Sequence, residues 1–258
     1  MSTLSYAVAD SATMLRRNAR HVVRYPIVVL MSVGIPVLLL LLFVGVFREL
    51  GASLAAGDDY IDYIVPGILL IAICYGSSST SMEVNSDSTK GIITRFRTMA
   101  IARSAVLTGH VLTALIRTAI SLVLVVGVAL LMGFRPTSDP VAWLAAAGLL
   151  MLLTLALTWL AVAVGLAAPN AEGTAGFGLI VQLLPFISSA FTPPATMSGG
   201  AQWFAENQPF TPVIDTVRGL VVGGPIGNDG IIAVGWCVGL SLIGYLWARS
   251  QFRRAPVH

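Results

Sequence analysis

The sequence predicts an all-α polytopic membrane protein with six transmembrane helices, and three observations carry that expectation. Six long apolar stretches recur along the 258 residues. The chain is 56% hydrophobic and only 10% charged, with a mean hydropathy of +0.86, outside the range of ordinary soluble domains. Eleven of the fifteen Lys and Arg residues gather in three clusters: Arg16, Arg17, Arg20 and Arg24; Lys90, Arg95, Arg97 and Arg103; Arg249, Arg253 and Arg254. The intervening loops carry only Arg48, Arg135 and Arg218, while Arg117 falls inside an apolar stretch. Cytoplasmic loops are enriched in Lys and Arg, so this alternation predicts six crossings of the plasma membrane with both termini cytoplasmic. Eight of the twelve acids (Glu49, Asp58, Asp59, Asp62, Asp139, Glu206, Asp215 and Asp229) lie in the loops so placed outside.

The elements follow in order. Residues 3–24 read as an amphipathic helix that does not span. Leu4, Val8, Ala12, Leu15, Ala19, Val22 and Val23 share one arc and the arginines take the adjoining one, the pattern of a helix lying in the membrane interface. The spans are expected over 26–47, 62–83, 107–133, 141–168, 173–191 and 231–248. Pro36 sits inside the first, and a Ser/Thr run from Ser77 to Ser81 marks the second. The fourth is long enough to tilt. The fifth is the weakest, because Gln182 and Pro185 interrupt it. Residues 192–230 are too long for a structureless loop. Trp203, Phe204, Phe210, Val213, Ile214, Val217 and Leu220 suggest a re-entrant helical hairpin there, with Gly199 and Gly200 as its turn.

Several chemistries are excluded. There is no HExxH, no GxSxG, and His21, His110 and His258 are too scattered for a local metal site, so neither catalytic nor metal-ligating residues are assigned. Gly223-Gly224-Pro225-Ile226-Gly227 lacks the GK[ST] ending of a phosphate loop and reads as a turn. Gly173 to Gly178 reads as a close-packing helix face, and Gly235 with Gly239 as a GxxxG match. Cys74 and Cys237 are too few for a disulfide framework. A pI near 9.1 reflects membrane-flanking cations, which point to lipid contact and not to nucleic acid.

The loop between the second and third stretches is the strongest functional element. Ile92, Ile93, Phe96 and Met99 recur at helical spacing over residues 88–99, with Lys90, Thr94, Arg95, Arg97 and Thr98 on the other face and Asp87 or Ser88 as the cap. Such a surface helix either rests on lipid or inserts its apolar knobs into a groove of a soluble partner, and periodicity leaves both open. Farther along, Asp215 and Arg218 stand three apart and can pair across one turn, either as mutually satisfied charges or as an outer gate. Arg117 costs about 2.5–3.5 kcal/mol at the centre of a span, so it is expected to snorkel from the cytoplasmic third, with a role in substrate entry near the headgroup phosphates as the alternative. Ser77, Ser78, Ser79, Thr80, Gln182, Ser188 and Ser189 are the polar groups available to line a path, with Ser78, Gln182 and Ser188 as the candidates. Gln182 needs an amide partner, expected on another helix.

Three stretches resemble the membrane subunit of type-2 ABC transporters, particularly the daunorubicin-resistance-type exporter permeases. These are Asp87-Ser88-Thr89-Lys90-Gly91-Ile92-Ile93-Thr94-Arg95-Phe96-Arg97, Gly109 to Arg117 with Gly133-Phe134-Arg135, and Asn207-Gln208-Pro209-Phe210-Thr211-Pro212 leading to Asp215 and Arg218. The third is similar to the family's Asn-Pro-(Leu/Phe)-Thr…Asp-x-x-Arg signature, with Gln208 as an insertion. The resemblance implies a coupling helix, with Gly91, Ile92, Ile93, Arg95, Phe96, Arg97 and Met99 facing a separate ATPase subunit, and a re-entrant motif of Asn207, Pro209, Asp215 and Arg218. It also implies a second permease copy, as a homodimer or a related heterodimer. ATP and magnesium would then belong to the partner, with no cofactor in this chain, and the cargo would be an amphipathic drug, antibiotic or lipid-like molecule moving outward. The rival reading is a self-contained secondary transporter or channel, which needs intramembrane acids. The central parts of the expected spans contain none.

Overall fold

A computed structural model describes residues 26–46, 60–90, 103–136 and 140–254. The expected interfacial helix over 3–24, and all of the expected coupling helix beyond residue 90, lie outside the described residues. Gly91, Ile92, Ile93, Arg95, Phe96, Arg97 and Met99 are therefore outside as well. Among the described residues the chain is helical, with no strand. The long helices are α1 (Pro26–Val46), α2 (Tyr60–Thr89), α3 (Arg103–Leu131), α4 (Pro140–Ala167) and α5 (Ala171–Leu183). Short helices α6 (Gly199–Asn207) and α7 (Phe210–Val222) precede α8 (Asp229–Arg254). Among the described residues four helices are long and apolar enough to cross a membrane: Tyr60–Thr89, Leu107–Leu131, Pro140–Ala167 and Asp229–Phe252. Val33–Val46 and Ala171–Ile187 are shorter apolar helices.

Helix α2 is the hub. From Ile64 to Cys74 every residue is buried, so it is apolar on all sides, as a helix enclosed by others must be. It packs against α1, α3, α4, α5 and α7. Its second half is polar, yet the helix continues through it because hydroxyls bond back to the preceding turn. Ser77 and Ser78 donate to the Cys74 carbonyl at 2.8 and 2.9 Å, and Thr80 to that of Gly76 at 3.0 Å. Thr89 donates to the Asn85 carbonyl at 2.9 Å. The helix therefore runs past the expected limit of 83 to Thr89. Asp87 and Ser88 lie in its last turn and do not cap a new helix.

Successive long helices alternate in direction. The Arg135 amide lies 3.4 Å from Asp62 Oδ1, bringing the end of α3 to the start of α2. Asn85 Nδ2 donates to the Gly165 and Ala168 carbonyls at 3.2 and 2.7 Å, which joins the end of α2 to the end of α4 and satisfies carbonyls that a helix terminus leaves open. Small residues set the interhelical distances. A Cβ at Gly165 would stand 2.6 Å from the Ser81 carbonyl oxygen, and one at Gly244 would stand 2.7 Å from the Leu160 nitrogen. The GxxxG residues Gly235 and Gly239 meet nothing within 4 Å, so α8 packs on α4 through Gly244 and not through that motif.

The fifth apolar stretch is shorter than its hydropathy suggests. The α-helix ends at Leu183, and a 3-10 turn over Leu184–Ile187 follows, because Pro185 has no amide to continue the ladder. In the following segment Gly199 and Gly200 open helix α6 and do not form the turn. The break between α6 and α7 falls instead at Gln208 and Pro209, where Gln208 is extended at φ −87° and ψ 157° and Pro209 leads into α7. Gly223, Gly224 and Gly227 hold φ of 98°, 149° and 54°, so the glycine cluster before α8 is a turn that side-chain-bearing residues would strain.

Candidate functional site

Polar side chains concentrate at the two ends of α2, with an apolar-walled cavity between them. At the Tyr60 end, α7 carries Asp215 and Arg218 on one face. Arg218 Nη1 donates to Asp215 Oδ1 at 2.7 Å, its Nη2 to the Ser189 carbonyl at 2.7 Å, and its Nε to the Tyr63 carbonyl at 3.3 Å. The guanidinium also sits 4.0 Å from the centroid of the Tyr63 ring. Ser189 closes the knot by donating its hydroxyl to Asp215 Oδ1 at 2.7 Å, and Tyr63 donates to the Ser189 carbonyl at 3.2 Å. Burial raises the Asp215 carboxyl from its ordinary value, while the Ser189 hydroxyl and Arg218 oppose that shift. Three segments distant in sequence (the start of α2, the turn after α5 and helix α7) are thus fastened at one point.

The other residues of this motif divide. Asn207 is exposed and donates back to the Trp203 carbonyl at 2.7 Å, so it finishes α6 and takes no part in the knot. Pro209 turns the chain into α7. Gln208, an insertion in the sequence pattern, is buried and its Nε2 donates to the Ile187 carbonyl, tying the break between α6 and α7 to the turn after α5. Nothing in its local sequence marks that role.

A cavity of about 490 Å³ lies between α1, α2 and α5. Leu39, Tyr75, Leu179 and Phe186 contribute apolar surface, and Ser78 and Gln182 are among its few polar groups. Gly178 of α5 faces Ser78, whose side chain would lie 3.3 Å from a Cβ there, and this close approach brings α5 onto α2. Ser188 does not join this wall. It is buried, its hydroxyl donates to the Pro185 carbonyl and accepts from the Ala190 amide, and its chemistry is spent on the turn.

At the Thr89 end, Arg117 does not snorkel. It is 4% exposed and turned into the α2–α3 seam, where Nη1 bonds Glu83, and Nη2 donates to the Gly76 carbonyl at 3.1 Å and to Thr80 Oγ1 at 3.0 Å. A partner inside the bundle removes the reason to reach for the interface. Nearer the loop, His110 Nε2 lies 3.5 Å from Asp87 Oδ2. Glu83 was not among the residues the sequence singled out, and it becomes the partner of Arg117 only once α2 and α3 pack side by side. No group of three or more His, Cys, Asp or Glu that could hold a metal occurs among the described residues.

Comparison with known proteins agrees with this architecture. The family model described as ABC-2 type transporter matches residues 11–222. The daunorubicin resistance ABC transporter permease protein DrrB1 of Streptomyces coeruleorubidus is 29% identical over 218 residues, covering 84% of this chain and 76% of that protein. The probable doxorubicin resistance ABC transporter permease protein DrrC of Mycobacterium tuberculosis is 24% identical over 251 residues, covering 97% of this chain and 91% of its own length. The chain belongs to the ABC-2 type transporter family and is a multi-pass membrane permease of an ABC transporter.

Proposed function

We propose that this permease is the membrane-spanning subunit of an ATP-driven exporter, working as two permease copies with separate ATPase subunits that hold the ATP and magnesium. In this reading the chain crosses six times with both termini cytoplasmic, α1 and the shorter α5 completing the four longer spans. The Tyr60 end of α2 faces outward and the Thr89 end faces the cytoplasm. Residues 88–99 form the ATPase contact, with Ile92, Ile93 and Phe96 seated in its groove and Arg95 or Arg97 against acids at the rim.

The observation that carries the reading is the cavity between α1, α2 and α5, considered in a chain of this family. Its walls are mostly apolar, with Ser78 and Gln182 as sparse polar points, which suits an amphipathic cargo and disfavours a strongly charged one. The relatives named for daunorubicin and doxorubicin resistance support a drug-like cargo moving outward. The knot of Asp215, Arg218, Tyr63 and Ser189 would then close the outer end of the path.

One observation favours the rival secondary transporter: Glu83 is an acid well inside α2. Its carboxylate is bonded to Arg117 and does not line the cavity, which speaks for structure over proton coupling. Affinity purification from a host expressing the chain with its genomic neighbours tests the choice. A stoichiometric ATPase that co-purifies and supports ATP-dependent uptake into inside-out vesicles is expected. Equal transport by the purified chain alone, with an ion gradient and no ATP, would overturn the proposal.

A further inference from the structure

The segment at residues 91–102 joins α2 to α3, and the two helices that carry it are fastened by charge. On α2, Gly76, Thr80, Glu83 and Asp87 fall at helical spacing on one face. On α3, His110, Arg117 and Ser121 share a face in the same way. The antiparallel arrangement sets Asp87 opposite His110 at 3.5 Å, and gathers Glu83, Thr80 and the Gly76 carbonyl around the Arg117 guanidinium. The seam is tight as well as charged, because a Cβ at Gly76 would lie 2.7 Å from the Thr118 hydroxyl.

This is a costly way to hold two helices together. Arg117 Nε is buried with no hydrogen-bond partner, so the guanidinium is incompletely satisfied even in its pocket. Arg117 is buried while Glu83 keeps 40% of its side-chain surface exposed. Apolar side chains of similar size would give comparable adhesion without burying the guanidinium, and the best-attested use of such a charge inside a packed seam is a fixed register. The location of that register matters here. Glu83 follows directly on Met82, and Met82, Ser78 and Tyr75 line the cavity from the same helix. Helix α2 therefore carries the seam on one face and a cavity wall on another.

We propose that Glu83–Arg117, supported by Asp87–His110 nearer the loop, is a clamp that makes the joined ends of α2 and α3 one rigid arm. A push on residues 91–102 then moves the cavity wall and is not absorbed by α2 sliding along α3. Glu83 and Arg117 are positioning residues that touch neither cargo nor nucleotide. The transmission role rests on the reading of residues 88–99 as the ATPase contact, whereas the rigidity of the arm does not.

Two readouts separate those claims. Spin labels at Lys90→Cys and Leu112→Cys in the full chain, reconstituted in liposomes, report the spacing between the end of α2 and the first half of α3, and native Cys74 and Cys237 are buried. The parent should give one narrow distance distribution, Glu83→Gln a distribution broadened about twofold or more, and the charge exchange Glu83→Arg with Arg117→Glu a narrow one again. Equal widths in all three proteins overturn the clamp, as does an exchange no narrower than Glu83→Gln.

In the complex with its ATPase, Glu83→Gln should lower transport about tenfold while ATP turnover changes less than about twofold, and the exchange should recover most of the transport. Parallel loss of turnover and transport in Glu83→Gln, or no recovery on exchange, contradicts the transmission role. A parent chain that binds no ATPase overturns that role along with the docking reading, and the distance measurement still decides whether the arm is rigid.

Discussion

Arg218 lies with its guanidinium 4.0 Å from the Tyr63 ring centroid while donating to the carbonyl of the same residue, so one side chain of α7 grips both the ring and the backbone at the start of α2. Asp215 holds the guanidinium in that position from one turn earlier. Removing the guanidinium leaves Asp215 part-buried without its cation and takes one donor from each of three acceptors: Asp215 Oδ1 and the Tyr63 and Ser189 carbonyls. Arg218→Ala should cost about 2–3 kcal/mol of stability, with Arg218→Lys intermediate because an ammonium cannot reproduce the fork. Thermal unfolding in detergent checks the order of the three proteins.

Asp215 also makes the knot sensitive to pH. Burial raises its folded pKa, so the folded chain binds that proton more tightly than the unfolded chain does. Its contribution to stability is full below the ordinary carboxylate range and is lost as pH rises through the raised value. As pH rises from the ordinary carboxylate range through the raised value, the parent should lose stability relative to Asp215→Asn, whose difference from the parent isolates this one group. A parent that gains stability over the variant in that window would show that Arg218 outweighs burial.

Packing at Gly165 and Gly148 of the same helix gives a paired test. A Cβ at 165 would press to 2.6 Å on the Ser81 carbonyl oxygen, a backbone atom that cannot swing away, whereas one at 148 meets nothing within 4 Å. Gly165→Ala should destabilise by about 1–3 kcal/mol. Gly148→Ala should be neutral or gain up to about 1 kcal/mol from helix propensity. Resistance to unfolding and to trypsin in detergent compares the two.

The cavity has its own test. Ser78→Trp would put an indole into the cavity of about 490 Å³ between α1, α2 and α5, and should block transport while leaving an associated ATPase bound. Gln182→Leu keeps the space and removes the amide, and should alter which cargoes are carried more than how much protein assembles. Efflux of two dyes differing in hydrogen-bonding groups distinguishes the outcomes, and unchanged efflux by Ser78→Trp would remove this cavity from the path.

The helices were legible because apolar length is a local signal. The Asp215–Arg218 pair was legible because three residues is one helical turn. What stayed hidden was partnership across the bundle: Tyr63 is 155 residues from Arg218, and no local pattern brings Ser189 to either. Arg117 was misplaced for the same reason, since snorkelling is the cheapest fate of a lone cation and Glu83 is visible as its partner only once α2 and α3 pair. Pro185 signalled the early end of α5, but hydropathy counted through it. Gly199 and Gly200 looked like the turn of the hairpin, yet two glycines can also begin a helix, and the break between the two short helices falls at Gln208 and Pro209.

The central claim is that ATP binding and hydrolysis in a partner drive this permease through residues 88–99. The most direct measurement compares the parent complex with Phe96→Asp in liposomes, following cargo movement and ATP turnover together. Membrane insertion and the amount of permease should be unchanged, while cargo-stimulated ATP turnover and ATP-dependent transport are both abolished. Cargo-stimulated turnover at the parent rate in Phe96→Asp would contradict the account.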